Sequence, residues 1–351
     1  MTDEKDVLKA LGTVADPELR RDLVSLHMVE DLKVESGVVS FTLNLTTPAC
    51  PLRTRLEEEA RHVVETLPGV REVRMKVTSS VVSTMPTDGS GAIGGVKNII
   101  AVASGKGGVG KSTISVNLAV ALGASGAKVG ILDADIYGPN VPLMMSVKSV
   151  PEIREDKIVP PVSNGVKVAS LGLFYQDETP MIWRGPMVAG AVKQLLTQVE
   201  WGELDYLVID LPPGTGDASL TLAQTVPLSG VVIVTTPQDA ALNIAAKALA
   251  MFRKLNVPIL GVVENMSYFV CPKCGEKSYI FSSGGGRRVA QQLNVDFLGE
   301  LPLDITVREQ TDLGAPVVSA KPDSAQAAAF KEFAFRVAGM VSIVAYAKES
   351  Q

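Results

Sequence analysis

Cys271 and Cys274 stand two residues apart in "VCPKCGEKS", a separation at which two thiolates can grip one metal centre. The pair is half a site, because tetrahedral zinc and iron–sulfur clusters usually take four ligands. Only one other cysteine exists, Cys50, far upstream. The missing ligands can be the same two residues of a second copy, since an isologous dimer places one patch of each chain on the two-fold axis. A shared [4Fe–4S] cluster and a shared zinc ion both fit that arrangement. A reversible dithiol fits less well: a redox pair of this spacing normally caps a helix, and this one follows a strand.

The second chemical site is "GKGGVGKS", Gly105 to Ser112. It follows the apolar run "NIIAVAS" and opens the helical stretch "STISVNLAVALG", the context a phosphate-binding P-loop requires. Gly105, Gly107, Gly108 and Gly110, with Val109 between them and Thr113 just beyond, let successive N–H groups turn toward phosphate oxygens at a helix N-terminus. Lys111 is placed to neutralise β- and γ-phosphates of ATP, and Ser112 to bind Mg²⁺. Lys106 is a second lysine inside the loop. It is either a solvated surface group or a cation that reaches the phosphates of a facing subunit.

Three aspartates accompany the loop. Asp133 and Asp135, in "ILDADIYGPN", lie where a buried strand runs out, and Asp210 ends the strand of "YLVIDLPPGTGD". At the carboxyl edge of a parallel sheet such groups can hold Mg²⁺ or orient an attacking water, whereas any one of them alone could be a turn or cap residue. Gly214 and Gly216 permit a loop that senses the γ-phosphate.

These groups need rigid elements behind them. The chain has 351 residues, 46% hydrophobic and 5% aromatic, with a net charge of −5. That composition fits a soluble α/β protein, long enough for two domains. The acidic balance gives no reason to expect a nucleic-acid partner. No apolar run approaches the ~18 residues of a membrane span, and "MTDEKDVLKA" is too charged for a signal peptide, so the expected location is cytoplasmic with no membrane partner. Residues 1–80 read as a small α+β domain, with strands in "LKVESGVVSFTLNL" and "VREVRMKVT" and a helix starting at Cys50–Pro51. Residues 81–96, rich in Ser, Thr and Gly, read as a flexible linker. From 97 to 351, buried Val/Ile-rich runs alternate with helix-length segments, which predicts a doubly wound, mostly parallel sheet.

In order, "GKGGVGKST", "LDADIYGPN", "DLPPGTGD", "ENMSYFVCPKCG" and "GELPLD" resemble the Mrp/ApbC-type iron–sulfur cluster carriers. These form a branch of the deviant P-loop ATPases that also contain MinD and ParA. The resemblance covers about residues 97–340. "ADPELRRDLVSLHMV" and "LTTPACP" are similar to the iron–sulfur assembly domain often fused to bacterial members, although His27 stands in a segment where the family usually has glycine. The resemblance implies a homodimeric ATPase that receives a [4Fe–4S] cluster from an assembly scaffold and passes it to apo-proteins. In it, Lys106 and Lys111 bind phosphate, Ser112 and Asp210 serve Mg²⁺, Asp135 positions water, and Asp133 supports the metal shell. It also implies that Asn265, Pro302 and Asp304 surround the adenine ring. Cys50 matches a family cysteine. The rivals are a MinD/ParA-like spatial organiser and a scaffold on which clusters are built.

Overall fold

The computed structural model describes residues 2–17, 19, 21–48, 52–85, 93–136, 138–174, 185–214 and 216–349. Two compact units divide them: Met1–Val82 with Ala338–Gln351, and Ser83–Val337.

In the first unit the main elements are α1 (Glu4–Leu11), β1 (Val29–Glu35), β2 (Val38–Leu45), α2 (Arg53–Glu65) and β3 (Glu72–Ser79), with a two-residue ladder between Ala15–Asp16 and Arg21–Asp22. Every second residue of β2 is buried: Val39, Phe41, Leu43 and Leu45. That is the pattern of a strand covered on one face only. β2 pairs antiparallel with β1 and parallel with β3, and Val7, Leu11, Leu56, Ala60 and Val64 of the helices complete the core. Asp3 and Asp6 close a reciprocal cap at the start of α1. Described helix begins only at Arg53; Cys50 and Pro51 lie outside the described residues. His27 has φ +53°, a left-handed conformation in which glycine is more comfortable.

The expected linker is anchored at its described ends. The Thr84 N–H donates to Asn98 Oδ1 (3.1 Å) and its hydroxyl is hydrogen-bonded to that of Ser229, while Met85 and Ile93 rest on the second unit's core. Residues 86–92 lie outside the described set.

The second unit holds β4 (Ile99–Ser104), α3 (Lys111–Ala124), β5 (Val129–Asp133), α4 (Val141–Met144), β6 (Val166–Ser170) and α5 (Gly185–Gln198). It continues with β7 (Tyr206–Asp210), α6 (Asp217–Thr225), β8 (Gly230–Thr235), α7 (Asp239–Lys254), β9 (Ile259–Val270), β10 (Lys277–Ser278), α8 (Gly285–Gln292) and β11 (Phe297–Leu303). Then come α9 (Ile305–Asp312), α10 (Val317–Ala320) and α11 (Ala325–Glu349). The nine-stranded sheet runs Val162–Ser163, β6, β5, β7, β4, β8, β9, with β10 and β11 both on β9. Its central pairs are parallel, and β4, β5, β7 and β8 are buried along their whole length, as strands covered by helices on both faces must be. From β4 the chain goes to β5, beyond β7, whereas from β7 it crosses β4 to reach β8 on the other side, so the direction of the connections reverses at these two central strands. A crevice opens at the carboxyl ends of strands around such a point.

Residues 338–351, expected from the sequence in the second domain, group with the first unit. The reason is apolar: Tyr346 lies against the first unit's core and its hydroxyl donates to Leu26 O at 3.2 Å, with Val341 and Ala345 buried alongside. Among the described residues no helix is long and apolar enough to cross a membrane.

Candidate functional site

β4 delivers the chain to the loop and α3 takes it away. Gly108 and Gly110 have φ of +80° and +81°, which the turn between them demands. A Cβ on Gly105 would lie 2.6 Å from Ile244 Cγ2 and 2.7 Å from the Ile244 carbonyl carbon, so only glycine lets α7 seat against the loop. A Cβ on Gly110 would strike the Asn265 amide, which donates to Val109 O at 2.8 Å.

Asp210 ends β7 fully buried. Its Oδ2 receives Lys111 Nζ at 2.7 Å and Ser112 Oγ at 2.6 Å, and its Oδ1 receives Ser115 Oγ at 2.6 Å. Lys111 is 6% exposed, so this is an interior ion pair whose oxygens are satisfied. Asp133 is Asp210's register partner on β5. Burial, and then the charge of Asp210, push the Asp133 carboxyl up to about 8, while the N–H groups of Asp135 and Val141, each 3.1 Å away, pull the other way. The structure thus brings Lys111, Ser112, Asp133 and Asp210 together, with the half-buried Asp135 beside them. Among the described residues no three of His, Cys, Asp or Glu form a metal cage. A Mg²⁺ here would depend on Ser112, Asp210 and oxygens that are not protein, a donor set that suits its preference for water and phosphate. Ser115 escaped the sequence reading, although its position four residues after Lys111 puts it on the same helix face.

Lys106 is half-buried and donates to Gln238 Oε1 at 3.2 Å. Gly214, at φ +93°, ties its loop to β4 through a 2.8 Å bond to Ser104 O. A cavity of about 550 Å³ is lined by Gly110, Thr113, Asn265, Pro302 and Asp304, with Met266, Phe269 and Ile305 among its apolar walls. A largely apolar slot with a few polar groups suits a flat heterocycle. Asp304 also caps α9: one oxygen accepts from Thr306 N (2.7 Å) and Val307 N (3.2 Å), the other from the Gln326 amide (2.7 Å).

The cysteines sit in a tight turn at the end of β9. Cys271 N donates to Glu276 O (2.9 Å), Gly275 N to Cys271 O (2.8 Å), and β10 pairs back on Phe269 and Val270. Gly275 holds φ +74°. N–H groups of Cys274 and then Lys273, with help from the Cys274 thiol, lower the Cys271 pKa. Cys271 is half-buried and Cys274 exposed, with Val270, Tyr279 and Ile280 exposed nearby. The Lys277 ammonium lies 3.8 Å over the Tyr268 ring. Asn265 and Cys271 are six residues apart on β9 and its continuation, which departs from regular strand at Met266 (φ +55°), where the pairing with β11 shifts register.

Comparison with known proteins agrees in both parts of the chain. Residues 95–338 match the family model described as NUBPL iron-transfer P-loop NTPase, and residues 4–77 match that of iron–sulfur cluster assembly proteins. The iron–sulfur cluster carrier protein of Synechocystis sp. is 50% identical over 345 residues, 97% of this chain and 98% of that one. Among solved structures, a nucleotide-binding protein from Archaeoglobus fulgidus in complex with ADP is 40% identical, with a TM-score of 0.57, and the match covers 65% of this chain and 90% of that chain. The cell division ATPase MinD of Pyrococcus furiosus is 26% identical, with a TM-score of 0.53, over 68% of this chain and 98% of that chain.

Proposed function

This chain belongs to the NUBPL iron-transfer P-loop NTPase family, and from that premise we propose that it binds and hydrolyses ATP while carrying an iron–sulfur cluster to apo-proteins. The observation that carries the reading is a shared strand. β9 supplies Asn265, bonded to the P-loop, and runs on to the two-thiolate turn, so nucleotide site and cargo site rest on one element. The close likeness to a named carrier favours this reading over the spatial switch suggested by the more distant MinD.

In this account Lys111 leaves Asp210 to neutralise the β- and γ-phosphates, aided by the N–H groups of Gly105–Thr113. Ser112 and Asp210 hold Mg²⁺, which supplies charge neutralisation at the phosphates. Asp135 orients the attacking water and Asp133 supports the metal shell. Lys106 reaches the phosphates of a second copy, and Asn265, Pro302 and Asp304 surround the base. The cargo is a [4Fe–4S] cluster held by Cys271 and Cys274 of two copies of the chain, in the cytoplasm. A cluster held between chains is released when the chains part, so hydrolysis that removes γ-phosphate contacts can drive delivery. Residues 1–80 act as an assembly-like domain on the ATPase.

The test compares cluster uptake in vitro with complementation in a strain lacking the protein's own counterpart. Lys106→Ala and Lys111→Ala are expected to take up cluster as the unsubstituted chain does and to fail in delivery. Full complementation by Lys111→Ala would refute the coupling of ATP to transfer.

A further inference from the structure

Gln238 occupies the N-cap position of α7, yet its side chain makes no capping bond. Its Oε1 instead accepts from Lys106 Nζ and from Thr236 Oγ1, each at 3.2 Å. The next turns of the same helix press on the loop's backbone, since Ile244 and Ala245 leave no room for a Cβ on Gly105. The loop's flexible lysine and its first glycine therefore both rest on the start of α7. Glutamine is not among the side chains that cap helices well, so the position asks nothing of it as a cap, and its amide oxygen is engaged by Lys106 and Thr236 instead.

We infer that Gln238 is a positioning residue, a latch that keeps Lys106 against its own chain until a γ-phosphate on a second copy draws it away. The inference rests on the cross-subunit role proposed for Lys106. A neutral amide oxygen suits a latch. It orients the ammonium, but phosphate, being charged, makes the stronger bond and wins the exchange. A carboxylate at the same place would hold the lysine too firmly, and an apolar side chain would not hold it.

The test is sedimentation of the full chain with Mg²⁺ and a non-hydrolysable ATP analogue, comparing Gln238→Ala, Gln238→Glu and Lys106→Ala. Gln238→Ala should tighten nucleotide-driven association and Gln238→Glu should weaken it, each by about three- to tenfold, the scale of one partly exposed charge-assisted hydrogen bond. A merely structural role predicts no shift for either variant, because the Gln238 side chain makes no capping bond to lose. Shifts of the same sign, or no shift in either Gln238 variant while Lys106→Ala abolishes association, would overturn the latch alone. Association of Lys106→Ala equal to that of the unsubstituted chain would overturn the cross-subunit role and the latch together.

Discussion

At the residue scale, one short piece of α3 supplies all three donors to Asp210, through Lys111, Ser112 and Ser115. The same ammonium lies near two buried carboxylates: Asp210 takes the direct ion pair, and burial beside that charge pushes the Asp133 carboxyl up to about 8. The pH dependence follows. Asp133 keeps its proton in the folded chain up to about 8 but loses it from an ordinary value of 3.8 once unfolded, so between those values unfolding releases a proton. The stabilisation is complete below the lower value and lost as pH rises through the upper one. Urea midpoints in chelator, without nucleotide, should therefore fall with rising pH for the unsubstituted chain relative to Asp133→Asn across that window, and run parallel above it. Parallel behaviour throughout would mean that Asp133 is ionised in the resting protein. Replacing Lys111 by Ala leaves a buried carboxylate without its cation, and thermal or urea unfolding should register about 3 kcal/mol of lost stability.

At the scale of elements, the turn after β9 shapes the proposed cargo site. Gly275 sits at φ +74°, where an added Cβ meets no neighbour, so Gly275→Ala strains the backbone without a clash. The strain is about 1–2 kcal/mol, and the reconstituted chromophore should be lost to a chelator about five- to thirtyfold faster with no drop in the melting of the sheet. Unchanged loss would show that the turn relaxes freely around its ligands. Much of this architecture is legible locally. Uninterrupted runs such as "NIIAVAS" announce strands buried on both faces, the glycine spacing announces the loop, and aspartates at strand ends announce the edge where ligands bind. What escapes is set by contacts between distant parts of the chain. Gln238 lies 132 residues from Lys106, and no local pattern links them. Asp304 looks like a wall of the base pocket and proves to be a helix cap as well. The strand Val166–Ser170 has only a five-residue run broken by Lys167, too short to stand out.

At the scale of the whole molecule, the two compact units do not follow chain order, because the last turns of α11 belong with the first residues. Tyr346 packs on the small unit's core, where no helical periodicity could have assigned it. The central proposal also belongs to this scale: Cys271 and Cys274 would supply half of a four-ligand site, and a second copy would supply the other half. The most direct test is to reconstitute the full chain without oxygen and to measure native mass together with iron and sulfide. A particle of two chains with about four iron and four sulfide, lost in Cys271→Ala and in Cys274→Ala, is the predicted result. A complete cluster on a single chain, or zinc alone with no cluster uptake, would contradict it.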